Sequence, residues 1–123
     1  MSEFKLKAVV VDDVAVMRKM LRDILESQNF SVVGEAANGQ EAIDICRREA
    51  PNLVTLDITM PLVDGLTALK EIKKAQPDVK VVMVSAFGER QNVLEAIKCG
   101  AANFIVKPFN AEKVIRVINS IRF

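Results

Sequence analysis

Four short apolar runs of this chain stop at residues able to do ionic or nucleophilic chemistry. Asp12 and Asp13 follow residues 7–11, Asp57 follows residues 53–56, Ser85 follows residues 79–84, and Lys107 follows residues 104–106. If the runs are parallel strands, their carboxyl ends open on one edge of a sheet, where ligands bind in open α/β folds. Three carboxylates, one hydroxyl and one ammonium would then converge from four strands. Carboxylates ~4 Å apart repel by roughly 1 to 4 kcal/mol near a surface, so positive charge must offset them. Lys107 supplies one such charge, and a hard divalent cation would supply more. Mg2+ suits the role, because it takes few protein oxygens, keeps several waters and favours phosphate oxygens. With Asp57 as nucleophile, the metal, Ser85 and Lys107 could each take one oxygen of a transferring phosphoryl group. The product would be a short-lived acyl phosphate.

Taken singly, these residues have plainer explanations. Asp12 and Asp13 could form a turn and cap a helix beginning near Val14, Asp57 could cap in the same way, Ser85 could be a turn residue and Lys107 a solvated lysine. Their joint placement at strand ends favours a site. Gly65 and Pro108 serve backbone geometry on either view.

The elements that must position them follow from periodicity. The four runs, with a fifth at residues 31–35 that leads into Ala36, Ala37 and Asn38, are near-continuous in Val, Ile and Leu, as in parallel strands covered on both faces. Between them lie helical spacings. Met17, Met20, Leu21, Ile24 and Leu25 form one stripe, with Arg18, Lys19, Arg22 and Asp23 expected outward. Others run through Ala42, Ile43 and Cys46, through Leu66, Leu69 and Ile72, through Val93, Leu94 and Ile97, and through Val114, Ile115, Ile118 and Ile121. Asn38 with Glu41, and Asn110 with Glu112, mark helix starts, and Gly100 marks a helix stop. Five strands alternating with five helices predict a three-layer α/β sandwich. Repeat stacking is disfavoured, since the five units share no pattern beyond polarity.

Composition narrows the chemistry. A length of 123 residues, half of them apolar, suits one domain with a real core. Seventeen basic against sixteen acidic side chains leave a formal charge of +1, which argues against a broad nucleic-acid or lipid footprint. The absence of histidine removes Cys/His zinc sites and histidine-based nucleophile pairs. Cys46 and Cys99 read as reduced core thiols. No apolar run approaches the ~20 residues of a membrane span, and residues 1–7 lack the features of a secretory signal. A cytoplasmic protein binding neither nucleic acid nor membrane is expected.

The segments VVVDD at residues 9–13, LDITMPLVDG at 56–65, VSA at 84–86 and FIVKPF at 104–109 resemble the receiver domains of bacterial response regulators, most of all the stand-alone chemotaxis regulators. The resemblance covers nearly all of residues 1–123, read as one response regulatory domain. It implies a flavodoxin-like fold with a five-stranded parallel sheet of order 2-1-3-4-5. It further implies phosphorylation of Asp57 by a histidine kinase, with Mg2+ held directly by Asp13 and Asp57, through water by Asp12, and by the backbone carbonyl of Thr59. Ser85, the Ala86 amide and Lys107 would grip phosphoryl oxygens, with Lys107 aimed by a cis bond to Pro108. Phe104 takes the place of the switch aromatic and, lacking a hydroxyl, is expected inward; Arg90 and Val93 fall on the output surface. Thr59 and Phe87 would flank the route of an attacking water.

The implied partners are a chemotaxis-type histidine kinase, the flagellar motor switch and a dedicated phosphatase, around a monomer that is not an enzyme beyond slow self-phosphorylation from small donors and self-dephosphorylation. Another single-domain phosphorelay or development regulator, or a receiver domain excised from a larger regulator, would read the same way. Two other classes fare worse. An aspartyl-nucleophile phosphatase needs a second Asp two positions on, where Thr59 stands. A flavin site would place phosphate against a loop that Asp12, Asp13 and Asp57 make repulsive.

Overall fold

A computed structural model describes residues 5–86 and 90–123 of the chain. Strands and helices alternate as β1 (Leu6–Val11), α1 (Ala15–Ser27), β2 (Phe30–Ala36), α2 (Gly39–Glu49), β3 (Leu53–Asp57), α3 (Gly65–Ala75), β4 (Lys80–Ala86), α4 (Arg90–Lys98), β5 (Asn103–Lys107) and α5 (Ala111–Asn119). All strand pairs are parallel and the sheet order is β2-β1-β3-β4-β5, the flavodoxin-like order expected. Side-chain alternation along the strands feeds two cores. Val9, Val11, Val54, Leu56, Val81 and Met83 pack against α2, α3 and α4, while Ala8, Val10, Leu53, Val82, Val84 and Ile105 pack against α1 and α5. Both faces of the sheet are thus covered, which is why the strands read as continuous apolar runs.

The expected punctuation is present. Asn38 Oδ1 accepts the Glu41 amide at 2.9 Å, and the Glu41 carboxylate returns the favour to the Ala37 amide at 2.8 Å, a reciprocal cap on α2. Asn110 Oδ1 accepts the Lys113 amide at the start of α5. A third cap escaped the sequence reading: Asp64 Oδ1 accepts the Thr67 amide at 2.8 Å and starts α3 immediately beside the site. Gly100, with φ +104°, ends α4 as expected. Cys46 is buried, which pushes its thiol up to about 12, and Cys99 is half-buried.

Three expectations about α1 and β5 need correction. Met20 is 40% exposed instead of core. Arg18 and Arg22 do not stand free in solvent; both turn onto Glu35 of β2. Phe104 is 40% exposed, where an inward ring was expected. The reason lies in the sheet order: β5 is an edge strand bonded only to β4, so the ring has neighbours on one flank alone.

Leu62 is the one strongly exposed apolar residue in the β3–α3 connection, and it holds a left-handed backbone at φ +64°. A branched side chain in that region costs roughly 1 kcal/mol or more, whereas asparagine tolerates it. The Leu62→Asn variant is therefore expected to gain about 0.5–1 kcal/mol, seen as a higher urea midpoint with an unchanged m value.

Candidate functional site

The carboxyl ends of β1, β3, β4 and β5 bring the predicted residues together. Asp12 follows β1 and is fully buried, its amide donating to the Ala36 carbonyl at 3.0 Å and its Oδ1 accepting the Val14 amide at 2.9 Å. Asp57 closes β3 at 4% exposure, its Oδ1 accepting the Thr59 amide at 3.3 Å. Asp13 is exposed at the rim. Carboxylate oxygens of Asp12, Asp13 and Asp57 lie within 4.8 Å of one another. Lys107, at the end of β5 and followed by a cis bond to Pro108, reaches in from the opposite side. Its Nζ lies 2.9 Å from Asp12 Oδ2 and 3.3 Å from Asp57 Oδ2.

The electrostatics follow from burial. Losing water pushes the Asp57 carboxyl up to about 6, and the neighbouring Asp12 charge pushes the same way; the Lys107 ammonium and the Thr59 amide oppose them without cancelling them. Burial also disfavours the Lys107 charge, but the Asp12 and Asp57 carboxylates outweigh it and the net shift is upward. The site thus holds three carboxylates against one ammonium.

Two buried atoms in the site are left without hydrogen bonds among the described residues: Asp12 Oδ2, which has only its ionic partner Lys107, and Ser85 Oγ at the end of β4. A buried hydroxyl without a partner costs about 1–3 kcal/mol, which an incoming oxygen would recover. Clustered carboxylate oxygens, none of them sulfur or imidazole, form the hard donor set that suits Mg2+. The residues present fit that ion, and Ser85 with Lys107 fits an anionic group placed beside it.

Of the other predicted positions, Thr59 sits two residues beyond Asp57 with its side chain exposed, and Ala86 ends β4 next to Ser85. Arg90 is exposed at the start of α4. Val93, also expected on the output surface, is only 7% exposed and packs into the core with Ala96, whereas Leu94 and Ile97 of the same expected stripe are exposed on α4. Phe87 lies outside the described residues.

The sequence reading missed two supports of the site. Arg18 Nη1 donates to the Asp12 carbonyl at 2.6 Å, and Glu35 holds that arginine from β2. The available signal was a glutamate at the end of an otherwise apolar strand. Gly65 was read as a backbone requirement without its partner: a Cβ there would lie 2.1 Å from the Asp57 carbonyl oxygen.

Comparison with known proteins agrees with this geometry. The response regulator receiver domain family matches residues 8–119, and the chain belongs to that family. It is 49% identical to the chemotaxis protein CheY of Bacillus subtilis (strain 168), over 92% of this chain and 94% of that protein. With the chemotaxis protein CheY of Thermotoga maritima it shares 45% identity over 94% and 96% of the two chains. Among solved structures, the CheX-CheY-BeF3-Mg2+ complex from Borrelia burgdorferi matches with a TM-score of 0.89 and 37% identity, covering 94% of this chain and 87% of that one. Family membership places the chain in two-component signalling, among signalling proteins rather than classical enzymes. Among the described residues, no helix is long and apolar enough to cross a membrane.

Proposed function

We propose that this chain is a chemotaxis response regulator that accepts a phosphoryl group on Asp57 and passes the change to a protein partner. The observation that carries the reading is the buried Asp57 carboxylate, with Lys107 at 3.3 Å and, at the end of the next strand, the buried Ser85 hydroxyl, which has no hydrogen bond among the described residues. In the transfer, an Asp57 oxygen attacks phosphorus, the P–N bond of a phosphohistidine on the kinase breaks, and the freed imidazole takes up a proton. Bound Mg2+ would offset the negative charge of the carboxylates and of the phosphoryl oxygens. Asp13, Asp57 and the Thr59 carbonyl would hold it directly, and Asp12 through water.

This chain's own groups do the rest. Lys107 holds one phosphoryl oxygen while remaining near Asp12, so its charge stays compensated as Asp57 is converted to the acyl phosphate. Ser85 Oγ and the Ala86 amide take another oxygen. Movement of Ser85 toward the phosphoryl group then opens space beneath β5, into which the exposed Phe104 ring can turn. Such coupling is worth about 1 to 3 kcal/mol, enough to change a partner's affinity 5- to 150-fold.

The same reading takes residues 1–123 as one receiver domain and the protein as a cytoplasmic monomer. Its proposed partners are a chemotaxis-type histidine kinase, the flagellar motor switch and a dedicated phosphatase, the CheX-CheY complex being a solved precedent for a chemotaxis-type partner of a relative. Incubation with acetyl phosphate and Mg2+, followed by peptide mapping, is expected to place one phosphoryl group on Asp57 and none in the Asp57→Asn variant. Modification elsewhere, or none in the parent, would refute the reading. Capture of partners by beryllofluoride-loaded against unloaded protein separates motor control from another single-domain relay.

A further inference from the structure

Asp13 is the exposed member of the acidic cluster, and its side chain makes no hydrogen bond or ion pair among the described residues. Its direction is therefore set by its backbone, and in particular by the peptide plane that joins it to Asp12. That plane is gripped at its carbonyl: Asp12 O accepts from Arg18 Nη1 at 2.6 Å, while the preceding Val11–Asp12 peptide is fixed by the Asp12 amide donating to Ala36 at the end of β2. Arg18 is itself held: its Nε donates to Glu35 Oε1 at 3.1 Å, and its side chain is only 19% exposed. Arg22, one helical turn further along α1, engages the second oxygen of Glu35 and reaches the Val32 carbonyl at 3.4 Å. A planar guanidinium can serve a carboxylate and a carbonyl together, which a lysine ammonium on a flexible stem does poorly.

We infer that Arg18, locked by Glu35 and backed by Arg22, is a positioning residue for the metal-binding turn. By fixing the Asp12–Asp13 peptide, it aims the Asp13 carboxylate at the cluster and raises affinity for a divalent cation. The inference rests on the receiver reading above, because it assigns a purpose to the cluster that Arg18 supports. Partners that orient first ligands commonly matter about 10- to 100-fold in metal affinity.

The sign of the effect separates this role from two simpler ones. A guanidinium acting only as a nearby positive charge repels a cation, so its removal would tighten Mg2+ binding. An arginine acting only as glue between α1 and β2 would lower the stability of the metal-free protein and leave the affinity of the folded protein unchanged.

The test is Mg2+ titration by calorimetry of the folded parent, Arg18→Met and Arg18→Lys, with metal-free urea unfolding of each in parallel. Arg18→Met is expected to bind Mg2+ about tenfold more weakly, and Arg18→Lys to recover little of the loss. Glu35→Gln leaves Arg18 able to reach Asp12 but loosens its other end, and is expected to weaken binding by a smaller factor; it serves if Arg18→Met fails to fold. Unchanged or tighter Mg2+ binding in these variants overturns the clamp, while Mg2+ binding and Asp57 labelling of the parent leave the receiver reading intact. A parent that binds no Mg2+ overturns both.

Discussion

The Asp57→Asn variant is expected to be more stable than the parent at neutral pH, by about 2–3 kcal/mol in the absence of metal. Burial and the Asp12 charge raise the Asp57 carboxyl from 3.8 to about 6 in the folded protein. The folded state therefore binds this proton more tightly than the unfolded chain, and unfolding releases it between about pH 4 and pH 6. Stability accordingly falls as pH rises through that window, the full penalty stands above about pH 6, and none remains below about pH 4. Asparagine removes the ionisation and keeps the shape. Lys107 is not orphaned by the change, because Asp12 Oδ2 lies 2.9 Å from its Nζ.

Urea unfolding of parent and variant at pH 4, 5, 6 and 7.5 checks this. The two midpoints should converge at the acid end and separate on the way up. A difference that is flat across the range would show that Asp57 is not destabilised by its surroundings. Saturating Mg2+ at pH 7.5 should narrow the gap, since a ligand binding only the folded parent stabilises it by mass action.

Replacing Gly65 by alanine should have an effect of comparable size and opposite sign. The added Cβ would lie 2.1 Å from the Asp57 carbonyl oxygen, 2.7 Å from Ile58 Cα and 2.9 Å from the Asp57 carbonyl carbon. All three are backbone atoms, and the Gly65 amide is tied to the Ile58 carbonyl at 2.8 Å, so neither side can swing away cheaply. Either the start of α3 or the end of β3 must shift. A net loss of about 2–3 kcal/mol is expected after allowing for alanine's better helix propensity, together with weaker Mg2+ binding because the displaced segment carries Asp57. A Gly65→Ala protein matching the parent in urea midpoint and Mg2+ affinity would mean that this approach is looser than it stands. Gly39 offers a control away from Asp57: its Cβ would meet the Val63 carbonyl at 2.1 Å, so Gly39→Ala should lose stability through the other end of the same loop.

Much of the fold was legible because local rules and the global answer agree. Val, Ile and Leu runs bounded by turn residues gave strands within a residue or two of those observed, and Asn38 and Asn110 cap the helices they were expected to cap. Failures occurred where a residue's surroundings come from distant segments. Met20 has helical spacing with Met17 and Ile24 but falls on the open side of α1. Phe104 lies on a strand whose place at the sheet edge is a property of topology, not of its neighbours in sequence. Arg18 and Arg22 look like solvated helix charges until β2 brings Glu35 alongside.

What the amino-acid order determined by itself is the placement of Asp12, Asp13, Asp57, Ser85 and Lys107 at strand ends, because strand periodicity ends where they begin and parallel strands must all point one way. Only the tertiary structure decided how those groups meet: Lys107 between Asp12 and Asp57, Ser85 buried without a hydrogen bond among the described residues, the Asp57 carboxyl pushed up to about 6, and Arg18 on the Asp12 carbonyl. Charge–charge distances and loss of water depend on register across four strands and on the helices packed over them. Those quantities exist only once the chain has closed on itself.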